Sequence, residues 1–333
     1  MENKTGEKVK MNTYIVKQKD INSRMQSRSG GIFAAVSDKV LEKGGVVYGC
    51  ALDDEFNAYH RRATTKAERD LFRGSKYVQS DMKDAMKEAV NDLKSGRTVL
   101  FSGTPCQVAG MKAACPNQYR DKLLCMDIVC HGVPSPAIWN AYKDYMQKKY
   151  HGKITQVDFR NKRKHGWWEH IESVKIHGLE IDSQIYKKLF YEHNILRDCC
   201  YECPYKNLER QGDITIADAW GIAHTAPEFD DNQGVSLVLC STEKGQEWLD
   251  MALQECDFRE CDIKDYMQEP FKRSFERPEN YNEFWNDYFT KSFAEIVKKN
   301  YEDSMKICVK WRLKRIVKAI VPQKLINKLK GRA

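Results

Sequence analysis

Three short apolar runs punctuate the chain: TVLFSG (98–103), KLLCMDIVC (122–130) and DITIADAWG (213–221). Each is bounded by turn residues or charge and is too short for a helix, so each reads as a buried strand. GGVVYGCAL (44–52) reads as a fourth. Between them IFAAVSDKVLEK (32–43) spaces its apolar residues as one face of a helix, and Ser80 to Lys94 reads as a second helix. Helix alternates with strand, which predicts an α/β (α+β mixed) fold of two packed units around mixed sheets. Residues 1–25 read as a polar arm, 26–118 and 119–265 as the two units, and 266–333 as a helical basic tail.

Composition changes this picture little. Of 333 residues, 41% are hydrophobic and 31% charged, as in ordinary soluble domains. No apolar run approaches the ~18 residues of a membrane span, and the start, MENKTGEKVK, has no signal-peptide core. A cytoplasmic protein is the expectation. The net charge of +8 sits at one end: residues 304–333 carry ten Lys and Arg and no acid, leaving 45 bases against 47 acids in the body. That distribution argues against a nucleic-acid-binding body. In the tail Val309, Leu313, Ile316, Val317 and Ile320 recur at helical spacing among Lys310, Arg312, Lys314, Arg315 and Lys318. Such a helix suits either peripheral membrane contact or docking on an acidic surface.

Twelve cysteines in a reducing compartment point to metal or redox chemistry for some of them. Cys106 and Cys130 lie at strand ends, and Cys200 and Cys203 form a C-x-x-C pair just ahead of a strand. In open α/β sheets ligands gather beyond the carboxyl ends of strands, so these four can meet despite their separation. Four thiolates make the all-cysteine set of a 4Fe-4S cluster. Structural zinc is the alternative, although its sites usually combine two short-spaced pairs. A thioredoxin-like use of Cys200 and Cys203 is weaker, because no strand runs into a helix bearing the pair.

SRSGGIF, GGVVYG, RGSKYVQS, VLFSGTPCQVAG, DIVCHGVPSP, CYECPYK and DITIADAWGI follow one another in an order that resembles the coenzyme F-420 hydrogenase/dehydrogenase beta-subunit family, over about residues 15–245. The resemblance implies an oxidoreductase carrying a 4Fe-4S cluster and FAD, with Cys106, Cys130, Cys200 and Cys203 as cluster ligands and Cys199 a spare thiol beside them. Many bacterial relatives begin with a ferredoxin-like segment, whereas the first cysteine here is Cys50. Electrons are therefore expected from a separate ferredoxin or another redox subunit. The resemblance also suggests a small-molecule or a sugar- or lipid-linked acceptor, as in surface polysaccharide synthesis.

No G-x-G-x-x-G fingerprint follows a strand, so a nicotinamide-type dinucleotide fold is not supported. The flavin pyrophosphate is expected at Ser27, Ser29, Gly30 and Gly31, where a helix begins and its free N–H groups favour an anion. A plain N-cap with a glycine turn is the competing reading of those residues. Lys76 is a candidate to face a reduced, anionic flavin, and His131 to relay a proton or bond a cluster sulfur. The stretch from Phe159 through Trp168 reads as a loop over the site, with Arg160, Lys162, Arg163 and Lys164 available to an acidic ferredoxin. Two function classes stay open: a reductase in its own right, and a non-catalytic electron-transfer or assembly subunit.

Overall fold

The computed structural model describes residues 11–301. Its strands are β1 (Asn12–Gln18), β2 (Val46–Leu52), β3 (Ala58–Ala63), β4 (Val99–Gly103), β5 (Leu123–Ile128), β6 (Ile154–Asp158), β7 (Glu172–Ile176), β8 (Leu179–Ser183), β9 (Ile214–Asp218), β10 (Ser236–Cys240) and β11 (Cys256–Glu260). Eight of them form one mixed sheet in the order β11-β1-β10-β9-β5-β4-β2-β3, and β6-β7-β8 form a separate antiparallel sheet. The class is the mixed α/β one that the helix–strand alternation predicts. The centre of the large sheet is parallel, β2 beside β4, β4 beside β5 and β5 beside β9.

The apolar runs become strands because their alternate residues are buried on opposite faces. Leu100, Leu124 and Met126 face a core closed by the helices Ile32–Glu42 and Glu243–Leu253. Val99, Phe101, Leu123 and Cys125 face the other core, under Ala85–Lys94 and Pro105–Ala114. A run buried on both faces shows no polar alternation, which is why these segments read as continuous apolar stretches. In Ile32–Glu42 the buried positions Ile32, Ala35, Val36 and Val40 make one helical stripe, with Ile32, Val36 and Val40 each worth about 1.5 to 3 kcal/mol in burial and the Ala35 methyl less.

Three elements differ from the sequence reading. Residues 12–18, inside the stretch read as a polar arm, are β1, paired on one side with β10 and on the other with the edge strand β11. β4 and β5 flank the 118/119 boundary yet are adjacent parallel strands, so the large sheet draws on both halves of the chain. The second helix starts at Ala85 rather than Ser80, because Asp81 bridges to Tyr59 and Lys83 has a positive φ of 42°.

A second lobe packs beside the large sheet. It joins β6-β7-β8 to the helices Pro136–Lys149, Ile185–Tyr191, Tyr281–Thr290 and Phe293–Asn300 around Trp139, Tyr142, Tyr186 and Leu189. The aromatic stretch near the end of the described chain contributes here: Phe284 is buried, whereas Phe289 is 78% exposed. The amphipathic basic segment of 304–333 lies outside the described residues. Within them, no helix is long and apolar enough to cross a membrane.

Candidate functional site

A cavity of about 480 Å³ lies where the parallel strands end. Ser102 and Gly103 at the end of β4 and Thr104 just beyond it enter its wall, Val129 and Cys130 follow β5, and Asp218 ends β9 with Trp220 two residues on. Parallel strands deliver their carboxyl ends to one edge, and neighbouring connections leave a crevice there. Ser27, Arg28, Ser29, Gly31 and Lys76 form another part of the wall, and Tyr77, Phe190, Tyr191 and Phe275 add aromatic surface.

The serine–glycine loop meets this cavity unevenly. Ser27 Oγ donates to Ser23 O at 2.9 Å and Ser29 Oγ to Val235 O at 2.6 Å, so both hydroxyls also brace the loop. Gly31 caps the helix Ile32–Glu42 with φ 92°, a conformation that suits glycine. Gly30 is not in the lining. A Cβ there would stand 2.1 Å from Val16 O, so this glycine lets the loop pack against β1. Arg28 reaches Asp158 at 2.9 Å through Nη2, while its Nε is buried with no partner among the described residues.

Lys76 is half-buried by surface, but protein crowds it on most sides and this desolvation pushes it down to about 8. Its Nζ donates to Leu71 O and Arg73 O at 2.9 and 3.1 Å. Nearby, a chain of polar contacts runs from His60 to Ser80 (2.9 Å), from Gln107 to Ser80 (2.8 Å), and from Thr104 N to Gln107 Oε1 (3.0 Å). It fixes the start of the helix Pro105–Ala114, whose first turn carries Cys106, with Sγ 3.1 Å from Thr104 Oγ1. Burial drives His60 down to about 4, so it is a neutral link in this chain.

The four candidate ligands come from three segments of the chain. Cys106 is exposed, Cys200 is buried, and Cys130 and Cys203 are intermediate. Pro134 bridges to Leu196, and Arg197 N donates to Val133 O at 3.0 Å, which brings the Cys200 segment alongside Cys130. Burial raises Cys130 to about 12, and the neighbouring thiols of Cys200 and Cys106 push in the same direction. Cys200 rises to about 11, again by burial first. Cys199 is exposed beside it. Among the described residues no group of three or more His, Cys, Asp or Glu is set to hold a metal ion.

His131 Nε2 lies 2.7 Å from His193 Nε2, and both rings pack on Phe275 at 4.0 and 4.2 Å. Burial drives His131 to about 3, with His193 and Lys206 adding to the effect, so it is neutral at ordinary pH. Lys206 Nζ donates to His131 O at 3.0 Å and sits 4.3 Å over the Phe275 ring. Neither His193, Phe275 nor Lys206 stands out by sequence. Lys206 sits inside the CYECPYK motif, where the cysteines draw the attention.

The basic residues expected to meet a ferredoxin are only in part a surface. Arg160 and Lys162 are 2% and 3% exposed. Arg160 pairs with Asp218 at 2.6 Å and lies 4.9 Å over Trp220, while Trp167 stacks on Trp220 and donates to Asp218 at 2.7 Å. Lys162 Nζ donates to the carbonyls of Arg24, Ser29 and Gln233. These two cations build the cavity wall from behind and cannot dock a partner. Arg163 and Lys164 are exposed, and Lys164 is engaged by Glu180 and Asp182 at 3.0 Å each.

Among solved structures, the fold is similar to that of a chain in the F420-reducing [NiFe] hydrogenase complex from Methanosarcina barkeri, with a TM-score of 0.54 and 18% identity, covering 79% of this chain and 86% of that one. At that identity the likeness is one of fold. No curated protein matches the chain. A family model described as the C terminus of the coenzyme F420 hydrogenase/dehydrogenase beta subunit matches residues 96–265, a stretch that includes β4, β5 and β9 and all four candidate cysteines. With half of its length so matched, the chain belongs to the coenzyme F420 hydrogenase/dehydrogenase beta-subunit family.

Proposed function

We propose that the protein is an iron–sulfur flavoprotein oxidoreductase that receives electrons from a separate redox protein and delivers them to an organic acceptor. The family ties it to hydrogenase and dehydrogenase redox complexes. The observation that carries the finer reading is one cavity with Cys130 in its wall and Ser27, Ser29, Gly31 and Lys76 also lining it. A cluster and a flavin held there would be neighbours. Bound, the cluster would pass single electrons and the flavin would pair them for hydride transfer.

The chemistry of these residues suits both groups, although among the described residues no three of them stand as a ready site for a metal ion. Cys106, Cys130, Cys200 and Cys203 form an all-thiol set from segments that fold side by side, the ligand type of a 4Fe-4S centre. The orphaned Arg28 Nε and the Lys76 ammonium offer positive charge beside the start of the helix Ile32–Glu42, where an anionic phosphate is favoured. Trp220, Tyr191 and Phe275 supply flat apolar wall and exclude water. Arg160 holds Asp218 and the Trp167–Trp220 stack in place behind that wall.

Anaerobic purification tests this directly. About four iron and four sulfide per chain are expected, with FAD released on acid treatment. Zinc in place of iron, or a colourless protein that takes up no flavin, contradicts the reading. Turnover of an organic acceptor by the purified chain separates a reductase from a non-catalytic electron-transfer subunit. The acceptor class, including sugar- or lipid-linked molecules, is open to the same assay. Either a ferredoxin or a reduced deazaflavin serves as donor.

Lys76 gives a pH signature. Its ammonium is present below about 8 and is lost as pH rises through that value. FAD affinity of the apoprotein is therefore expected to be flat from pH 6 to 7 and to weaken above 8, approaching tenfold per pH unit. Fluorescence titrations at several pH values measure it, and Lys76→Met should flatten the profile. A wild-type affinity that does not change between pH 7 and 9.5 removes Lys76 from the phosphate or flavin contacts. Gly31→Val is a poor probe, since its positive φ and the 2.8 Å approach to Gln18 Oε1 would strain the loop with or without a ligand.

A further inference from the structure

Lys206 is a buried cation whose counter-charge is not a carboxylate. It lies three residues beyond Cys203 and is 6% exposed. Its Nζ donates to the carbonyl of His131, the residue that follows Cys130, at 3.0 Å, and stands 4.3 Å above the face of Phe275. These contacts offer only partial negative charge. Burial lowers its proton affinity, and the groups that oppose this are Cys130, Cys200 and Cys203. Among the described residues no carboxylate forms an ion pair with it.

An ammonium held inside a protein without a full counter-ion is costly, and this one is fixed on the carbonyl of the residue that follows Cys130, three residues beyond Cys203, so negative charge is called for there. Four thiolates on an iron–sulfur core supply it. We infer that Lys206 is the charge-compensating residue of the cysteine centre and raises its reduction potential. The inference rests on the reading of Cys106, Cys130, Cys200 and Cys203 as 4Fe-4S ligands. Each electron taken up adds one negative charge to such a centre. A fixed cation at its edge stabilises the reduced form more than the oxidised form.

The geometry separates this role from mere packing. The carbonyl of His131 and the ring of Phe275 fix the ammonium, and both of these residues line the cavity together with Cys130. A neutral residue of the same length would keep the packing and lose the field. Arginine would keep the charge.

Anaerobic redox titration with dithionite, followed by electron paramagnetic resonance, tests the inference on wild type, Lys206→Met, Lys206→Gln and Lys206→Arg. Iron and sulfide in the wild type are assayed first, because their absence would remove the cluster reading and this inference with it. At the poise where wild type is half reduced, Met and Gln should lower the reduced-to-oxidised ratio at least about tenfold, which is about 59 mV for a one-electron couple. Arg should stay within about threefold of wild type. Loaded Met and Gln variants with the wild-type midpoint would overturn the inference, as would an Arg variant displaced as far as Met. If neither neutral variant retains iron, the Arg variant decides: retention supports a requirement for charge, and loss assigns Lys206 to packing alone.

Discussion

Replacing Arg210 by methionine is expected to cost about 3 to 5 kcal/mol of folding stability and to loosen the segment that carries Cys203. Asp127 in β5 is fully buried, and Arg210 is its cation at 3.1 Å. The same guanidinium donates to the carbonyls of Tyr205, Asn207 and Ile128, so it ties the chain just after the C-x-x-C pair to the end of the strand that leads to Cys130. Without it Asp127 keeps only Thr215 Oγ1 and backbone N–H donors. A buried carboxylate stripped of its cation is costly because low-dielectric surroundings no longer offset its desolvation.

The pH dependence of that loss has a definite sign. Burial already pushes Asp127 above the usual carboxylate range, with Arg210 opposing it. Removing Arg210 raises it further, so the folded variant binds a proton more readily than its unfolded chain. Stability then rises as pH falls through the raised folded-state value and levels off below the unfolded one. Urea denaturation at pH 5.5 and 8 should show a larger deficit against wild type at pH 8, and the anaerobically purified variant should hold less iron. A deficit under 1 kcal/mol at both pH values would show that the Asp127 pair is not holding this strand end.

Lys162→Met is expected to have the second large effect, about 3 kcal/mol in stability with an FAD affinity at least about tenfold weaker. The ammonium has three N–H groups, and all three find carbonyls: Arg24 at 2.6 Å, Gln233 at 2.8 Å and Ser29 at 3.0 Å. The Ser29 carbonyl belongs to the loop that lines the cavity, so loss of the lysine frees that loop and leaves three acceptors buried beside an apolar chain. A charge-assisted hydrogen bond is worth about 1.5 to 3 kcal/mol, and partial relaxation keeps the total below the sum. Arginine is not a substitute, because a planar fork cannot direct donors at three converging carbonyls. Thermal melts and flavin titrations of Lys162→Met and Lys162→Arg read both consequences. An arginine variant equal to wild type in both would falsify the cradle.

Local pattern was enough for the sheet's central strands. Residues 99–103, 123–128 and 214–218 are each short, mostly apolar and closed by turn residues, and nothing distant is needed to see that they are strands. The place of Cys106 and Cys130 beyond strand ends follows from the same reading. What local pattern could not supply is pairing. β1 has an ordinary mixed sequence, and its partners in β10 and β11 lie more than 200 residues away, so its burial comes from a register that only the folded sheet provides.

Charge misleads for the same reason. Arg160 and Lys162 read as a solvated basic patch, since such side chains usually stay in water. The fold brings Asp218 and Trp220 to one and three backbone carbonyls to the other, and those partners offset desolvation. Gly30 has an equally hidden reason, the approach of Val16 O from β1. The chain by itself determined the central strands and the mixed α/β class, and it pointed to Cys106, Cys130, Cys200 and Cys203 as one candidate set. The tertiary structure decided which cations are surface and which are wall, and it alone set Lys206 on the carbonyl of His131, next to Cys130, because desolvation and charge compensation depend on neighbours that sequence distance does not reveal.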